Sequence, residues 1–302
     1  MTVNEVCWIC GSHEVAIWKK DNVLEAVSSE DVKVTDSRYG VTLPLYQCAS
    51  CGFIFAEREK LKQLTAAYAE LEDPEYSETS QARIKQMQWL IRKIKELHPG
   101  AKNLLDIGAG TGLLVEQAQR AGFEAAGIEP CRSFVEKARQ NGLNVLEGEM
   151  PHPQLQERQF DLITLVDVIE HVSDPLHLLQ SAKAYLKRKG IMCVVTPNIE
   201  SWTAKIMGQK WWHLRMAHVG YFSPRSLEQA AAECGLRVVR EIQAIWFLPL
   251  DYVLVRLGKY LPSKIRTSWN RMVEAPSLAK ITIPINLFDS TVTYLKWIRG
   301  KS

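Results

Sequence analysis

The run Asp106-Ile107-Gly108-Ala109-Gly110-Thr111-Gly112 constrains this chain more than any other stretch. Its three glycines alternate between a strand-like apolar segment, 103–107, and a helix-like segment, 113–121. Glycine there lets the backbone turn sharply and lets a ligand approach bare main chain, so the run predicts a ligand cradle at the carboxyl edge of a parallel sheet. A dinucleotide fingerprint beginning at Gly108 needs a small residue where Leu113 stands. A phosphate-binding P-loop needs a lysine where Leu113 follows Gly112. Both nucleotide readings are disfavoured.

From Ala101 onward strand-like and helix-like runs alternate: strands at 103–107, 123–128, 144–146, 160–166 and 191–195, helices at 113–121, 133–140 and 175–187. Segments 236–245 and 289–297 read as two further strands. This alternation predicts the α/β class, with a Rossmann-like, doubly wound sheet. Upstream, Ile84, Met87, Ile91, Ile94 and Leu97 recur every three or four residues, marking a helix that ends before Pro99-Gly100 and covers a flank of the sheet.

Seven cysteines include two C-x-x-C pairs, Cys7/Cys10 and Cys48/Cys51. In a reducing compartment paired pairs point to tetrahedral zinc rather than disulfides, and Gly52 after Cys51 suits a tight turn around the metal. Four thiolates would leave no open position for chemistry, so the ion would be structural. Two accidental pairs or a redox site are the alternatives. Short strands are expected at 32–34 and 43–46, giving a zinc-ribbon-like module over 1–60, a helical connector over 61–100 and the catalytic domain over 101–302.

The chain has 302 residues and a net charge of +3, with 46% hydrophobic and 24% charged residues. That composition supports a sizeable core and makes nucleic acid an unlikely default partner. No run approaches the ~18 apolar residues of a spanning helix. Glu5 and two cysteines stand where a secretory leader needs basic residues followed by an apolar stretch. A cytoplasmic protein is expected.

Leu104 to Gly112, LLDIGAGTG, and Phe160 to Pro175, FDLITLVDVIEHVSDP, resemble the first and fourth motifs of class I S-adenosylmethionine-dependent methyltransferases. The resemblance is to the branch of ubiquinone-biosynthesis O-methyltransferases and bacterial sugar methyltransferases. It spans 68–297 and implies a seven-stranded sheet. It also implies a donor bound by Asp106, Gly108, Ala109, Gly110 and Gly112, with Glu129, followed by Pro130, on the ribose diol. Glu149 and Met150 would lie at the adenine, and Asp167 at the methionine end. A carboxylate suits a vicinal diol because it accepts two charge-assisted hydrogen bonds.

The sulfonium methyl is already activated, so the enzyme mainly aligns an acceptor and excludes water, and an alcohol acceptor must also lose a proton. His171, beyond the fourth strand, and His218, in the run His218-Val219-Gly220-Tyr221-Phe222-Ser223, are the candidate bases, with Tyr221 orienting the hydroxyl. The bland reading makes them loop-capping or structural residues. Ser223 before Pro224 reads as a helix cap.

In the resembling families the insertion at about 197–224, with Trp202, Trp211 and Trp212, forms the acceptor pocket. A second insertion, about 246–287, carries Arg256, Lys259, Lys264, Arg266 and Arg271 among aromatic residues within 246–275. That stretch could rest on an anionic bilayer at the inner face of a membrane; a lid or dimer contact is the alternative. The expected reaction is O-methylation of a small molecule: a sugar, a nucleotide sugar, or a lipid-linked glycan or quinone-type acceptor. Sugar C-methylation is disfavoured because enzymes of that type carry a further carboxyl-terminal domain. RNA methylation through the zinc module is disfavoured by the acidic segment 21–47.

Overall fold

The structure, a computed structural model, describes residues 5–20, 33, 39–58, 61, 64, 68, 71, 81–156, 158–258, 269, 273 and 281–298. Apart from Lys33, which is not in a strand, the strand expected at 32–34 lies outside the described residues, as does most of the basic segment beyond 258. Three short antiparallel strands come first: β1 (Val15–Lys19), β2 (Leu45–Cys48) and β3 (Ile54–Ala56). Helix α1 (Gln81–Leu97) follows, burying Gln86, Trp89, Leu90 and Ile94 as one stripe.

The alternating part begins with β4 (Asn103–Ile107), α2 (Leu113–Arg120), β5 (Glu124–Glu129), α3 (Arg132–Gln140) and β6 (Val145–Glu147). The chain then crosses back through β7 (Phe160–Val166), α4 (Pro175–Ala184) and β8 (Leu186–Pro197). After α5 (Trp202–Met207), β9 (Gly220–Tyr221) and α6 (Pro224–Glu233) it adds β10 (Leu236–Gln243), β11 (Trp246–Pro249) and α7 (Leu250–Gly258). Strands β12 (Thr282–Ile285) and β13 (Ser290–Trp297) complete the described part.

The seven-stranded sheet has the order β10, β13, β8, β7, β4, β5, β6. Neighbours from β8 to β6 pair in parallel, and β13 runs antiparallel to both β8 and β10. Leu104, Leu105, Leu162, Ile163, Ile191 and Val194 are all buried, as strands covered on both faces require. The chain leaves β4 toward β6 and returns to β7 on the other side of β4. That reversal opens a crevice at the carboxyl ends of β4 and β7.

The small sheet has a fourth strand. β9 pairs antiparallel with β3, with Ile54 opposite Tyr221 and Phe55 opposite Gly220. Ala56 N donates to Val219 O at 2.8 Å, and the Phe53 and Phe222 rings meet at 4.8 Å. The cysteine-bearing strands and the segment after β8 thus share one buried cluster.

Two local expectations shift. The helix expected to 187 ends at Ala184, because Phe160 N donates to Tyr185 O at 2.7 Å and Leu186 already pairs with Phe160. The basic insertion, read as a surface stretch or a lid, opens as strand β11, paired with β12, before α7. Ser223 caps α6 as expected, in a reciprocal capping box with Ser226.

Candidate active site

The glycine loop and the end of β5 are tied together. Gly108, Gly110 and Gly112 adopt φ of 74°, 53° and 81°, the left-handed region in which a Cβ is costly. Gly108 N and Ala109 N both donate to Ile128 O, at 2.8 and 3.0 Å. A Cβ on Gly108 would lie 2.4 Å from Val168 Cγ2, so the loop packs bare backbone against the exit of β7. Fully buried Glu129 accepts from Gly110 N through Oε2 and from Cys131 N through Oε1, each at 2.8 Å. Tyr68 adds a side-chain hydrogen bond. Burial raises the Glu129 pKa, against the lowering effect of these donors.

Asp106 lies buried beneath the loop and accepts from Thr164 Oγ1 at 2.6 Å. Burial pushes its pKa up to about 7, with the Thr164 bond opposing and the Glu129 charge adding. Pro130 is half-buried, Met150 buried and Glu149 exposed, the last two just beyond β6. These residues fit an S-adenosyl donor on two structural grounds: a loop that admits no side chain at Gly108, and a buried carboxylate at the strand end facing it.

A second polar cluster stands beside the loop, where β7 and β8 end. Asp167 has φ 52°, and its buried Oδ1 has no hydrogen-bond partner. Burial raises its pKa to about 6, while the His213 charge opposes that shift. Glu170 accepts from Thr196 Oγ1 at 3.0 Å, and its carbonyl takes the amides of Val219 and Gly220 at 2.8 and 3.0 Å. Burial, then the Asp167 charge, raises the Glu170 pKa well above the usual range.

His171 Nδ1 lies 2.7 Å from Ala217 O. A carbonyl only accepts, so Nδ1 carries the proton and Nε2 presents its lone pair. Burial, reinforced by Arg215, pushes the His171 pKa down to about 4. The His218 ring meets His171 edge-on at 4.6 Å and lies nearly parallel to His213 at 5.7 Å. Burial, with the His171 charge next, holds His218 well below its ordinary value. Tyr221 OH lies 3.5 Å from Arg215 O, and its ring is 6.3 Å from that of His218. Ligand-capable atoms of Glu170, His171 and His218 lie within 4.8 Å of one another.

All three sequence-predicted catalytic residues therefore meet in one place. His213, Arg215 and Asp289 join them unannounced, because no motif carries them and Asp289 reaches His213 across 76 positions of sequence.

The four paired cysteines also converge. Cys7 Sγ lies 3.6 Å from Cys51 Sγ and Cys10 Sγ 3.5 Å from Cys48 Sγ. All four lie within 4.8 Å of one another. Thiolates around tetrahedral zinc, each at about 2.3 Å from it, stand roughly 3.8 Å apart, so the set fits that ion. Both knuckles close alike: Gly11 N donates to Cys7 O at 3.1 Å and Gly52 N to Cys48 O at 3.0 Å, each glycine at positive φ.

Residues 76–241 match the family described as "Methyltransferase domain". The chain is similar to the ubiquinone biosynthesis O-methyltransferase of Haemophilus ducreyi, 30% identical over 172 residues, covering 49% of this chain and 70% of that protein. The proteins of the same name from Actinobacillus pleuropneumoniae and Histophilus somni are 36% and 32% identical over 108 and 123 residues. This chain spans only 46% and 52% of their respective lengths, and they cover 32% and 36% of it. A chain from the complex between the Trm112 methyltransferase activator and a methyltransferase of Haloferax volcanii shares the fold. Its TM-score is 0.50 at 17% identity, covering 73% of this chain and 95% of that one.

Proposed function

Since the chain belongs to the methyltransferase-domain family and is an S-adenosylmethionine-dependent methyltransferase, we propose that it methylates a hydroxyl oxygen of a small acceptor. The acceptor is a sugar, a nucleotide sugar, or a lipid-linked glycan or quinone-type molecule. The cluster of imidazoles and carboxylates beside the glycine loop carries this reading, because an alcohol must give up a proton as its oxygen is alkylated. The Haemophilus ducreyi relative is itself named an O-methyltransferase.

On this reading Asp106, Gly108, Ala109, Gly110 and Gly112 form the donor's bed and Glu129 holds its ribose. Pro130, Glu149 and Met150 line the adenine side, and Asp167 meets the methionine end. Bound there, S-adenosylmethionine supplies an activated methyl group. His171, His218 and Tyr221 contact the acceptor. Burial keeps both imidazoles neutral at pH 7, so they line the acceptor side as uncharged hydrogen-bonding groups. Zinc held by Cys7, Cys10, Cys48 and Cys51 would fix the knuckles, with no position left for a substrate.

A peripheral membrane contact fits a lipid-borne acceptor. Trp202, Ile206 and Phe288 are 76%, 82% and 58% exposed. The Thr203 hydroxyl, bonded to Leu287 O, brings their two segments together. Phe288 follows β12, which pairs with β11 at the start of the 246–275 stretch, and among the described residues no helix is long and apolar enough to cross a membrane.

Incubation with methyl-labelled donor, followed by separation of sugar nucleotides, lipids and RNA, tests the assignment. Label on oxygen in one of the first two fractions is expected, and the lipid fraction is expected if the exposed surface delivers the acceptor. Label confined to RNA, or found on carbon, contradicts it.

A further inference from the structure

An acceptor hydroxyl needs a base that can carry positive charge, and His171 and His218 are poorly placed for that. They face each other, Glu170, Arg215 and His213, and Arg215 and the other imidazoles disfavour a positive charge on either ring. We infer that His213, held by Asp289, removes the acceptor's proton, an inference that rests on the O-methylation reading above.

Asp289 sits at the turn into β13, 1% exposed. Its Oδ2 accepts from Trp212 Nε1 at 2.7 Å and lies 3.2 Å from His213 Nε2. Its Oδ1 is buried with no hydrogen-bond partner. An ionised carboxylate can only accept, so Nε2 of His213 carries the proton and Nδ1 presents the lone pair. Trp211 meets the His213 ring edge-on at 5.0 Å and His218 lies against it at 5.7 Å, so neighbouring rings fix its plane.

The His213 side chain is 16% exposed, open enough for a substrate hydroxyl to reach. The titratable and charged groups around it are Asp167, His171, Arg215, His218 and Asp289. Its charge acts on Asp167, at the end of β7 next to the glycine loop, so the pair belongs to the same polar cluster.

The step balances. The hydroxyl proton passes to His213 Nδ1, and an oxygen electron pair forms the bond to the methyl carbon. The carbon–sulfur pair stays on sulfur, which leaves as a neutral thioether. Asp289 stabilises the imidazolium through Nε2–H, as carboxylates do in histidine dyads. Asp289 is then a positioning residue and His213 the catalytic one.

The test uses the full chain and the acceptor found by the labelling assay. His213→Gln is expected to lower kcat about 100-fold with donor affinity unchanged. Asp289→Asn is expected to lower kcat and move the acidic limb of its pH profile. In protein saturated with S-adenosylhomocysteine, nitrogen-15 histidine spectra should show His213 protonated on Nε2, with that tautomer weakened in Asp289→Asn. Turnover of His213→Gln within threefold of the parent on an O-methylated product overturns the base assignment alone. So does a His213 tautomer indifferent to Asp289→Asn. A parent enzyme that labels only carbon or nitrogen sinks the O-methylation reading, and the base role with it.

Discussion

Glu129→Gln is expected to abolish saturable binding of S-adenosylhomocysteine in calorimetry, at least a 100-fold loss, while the chain stays folded. The two oxygens of Glu129 accept separate backbone amides, Gly110 N from the glycine loop and Cys131 N from the turn after β5. A carboxamide has one oxygen and one NH2 group, so one of those amides would face a donor. An unmet buried donor costs about 1–3 kcal/mol, enough to loosen the glycine loop without unfolding the sheet. The same change removes the charge that would hold the ribose diol. A melting temperature within a few degrees of the parent, together with lost binding, separates this result from general destabilisation. Retained affinity would remove Glu129 from the donor site.

Cys48→Ser is expected to abolish the zinc binding proposed for the four-cysteine cluster and to lower kcat while leaving donor binding nearly intact. The reason is topological. The second cysteine knuckle joins β2 to β3, β3 pairs with β9, and β9 carries Tyr221 immediately after His218 and Val219. Structural zinc in small modules supplies about 10–16 kcal/mol of folding free energy, so its loss should unfold the knuckles. The donor loop is built from β4 and β5, which make no strand contact with β3, so donor affinity should persist. Zinc content falling from one ion per chain to none, an added early melting transition, and a large drop in kcat against a small change in donor Kd constitute the expected pattern. Unchanged metal content, or equal loss of donor binding, would separate the module from the acceptor side.

Much of this architecture was legible because it is local. The glycine loop, the alternation from residue 101 and the helix before Pro99 are each written within about 20 positions, although of the expected stripe only Ile91 and Ile94 are buried, with Ile84, Met87 and Leu97 half-buried and Trp89 and Leu90 completing the covered face. The paired cysteines were legible for the same reason, since spacing alone encodes a knuckle. What escaped depends on distant partners. β9 is two residues long and has no periodicity, so nothing in Gly220-Tyr221 announces its pairing with β3. The His213–Asp289 contact links an irregular segment to the start of the last strand. Tyr68 meets Glu129 from the connector ahead of α1, a contact no motif encodes. The polar run Lys187-Arg188-Lys189 hid the early start of β8, because only Leu186 and Gly190 onward are buried there.

A crystal structure of the chain with S-adenosylhomocysteine bears most directly on the central claim, that the glycine loop and Glu129 hold the methyl donor. The account predicts the ribose hydroxyls on the Glu129 carboxylate, with the Tyr68 bond broken to admit them. It also places the sulfur toward the cluster of His171, His213 and His218. Nucleoside bound elsewhere, or a crevice still closed by Tyr68 on Glu129 at saturating ligand, would contradict it.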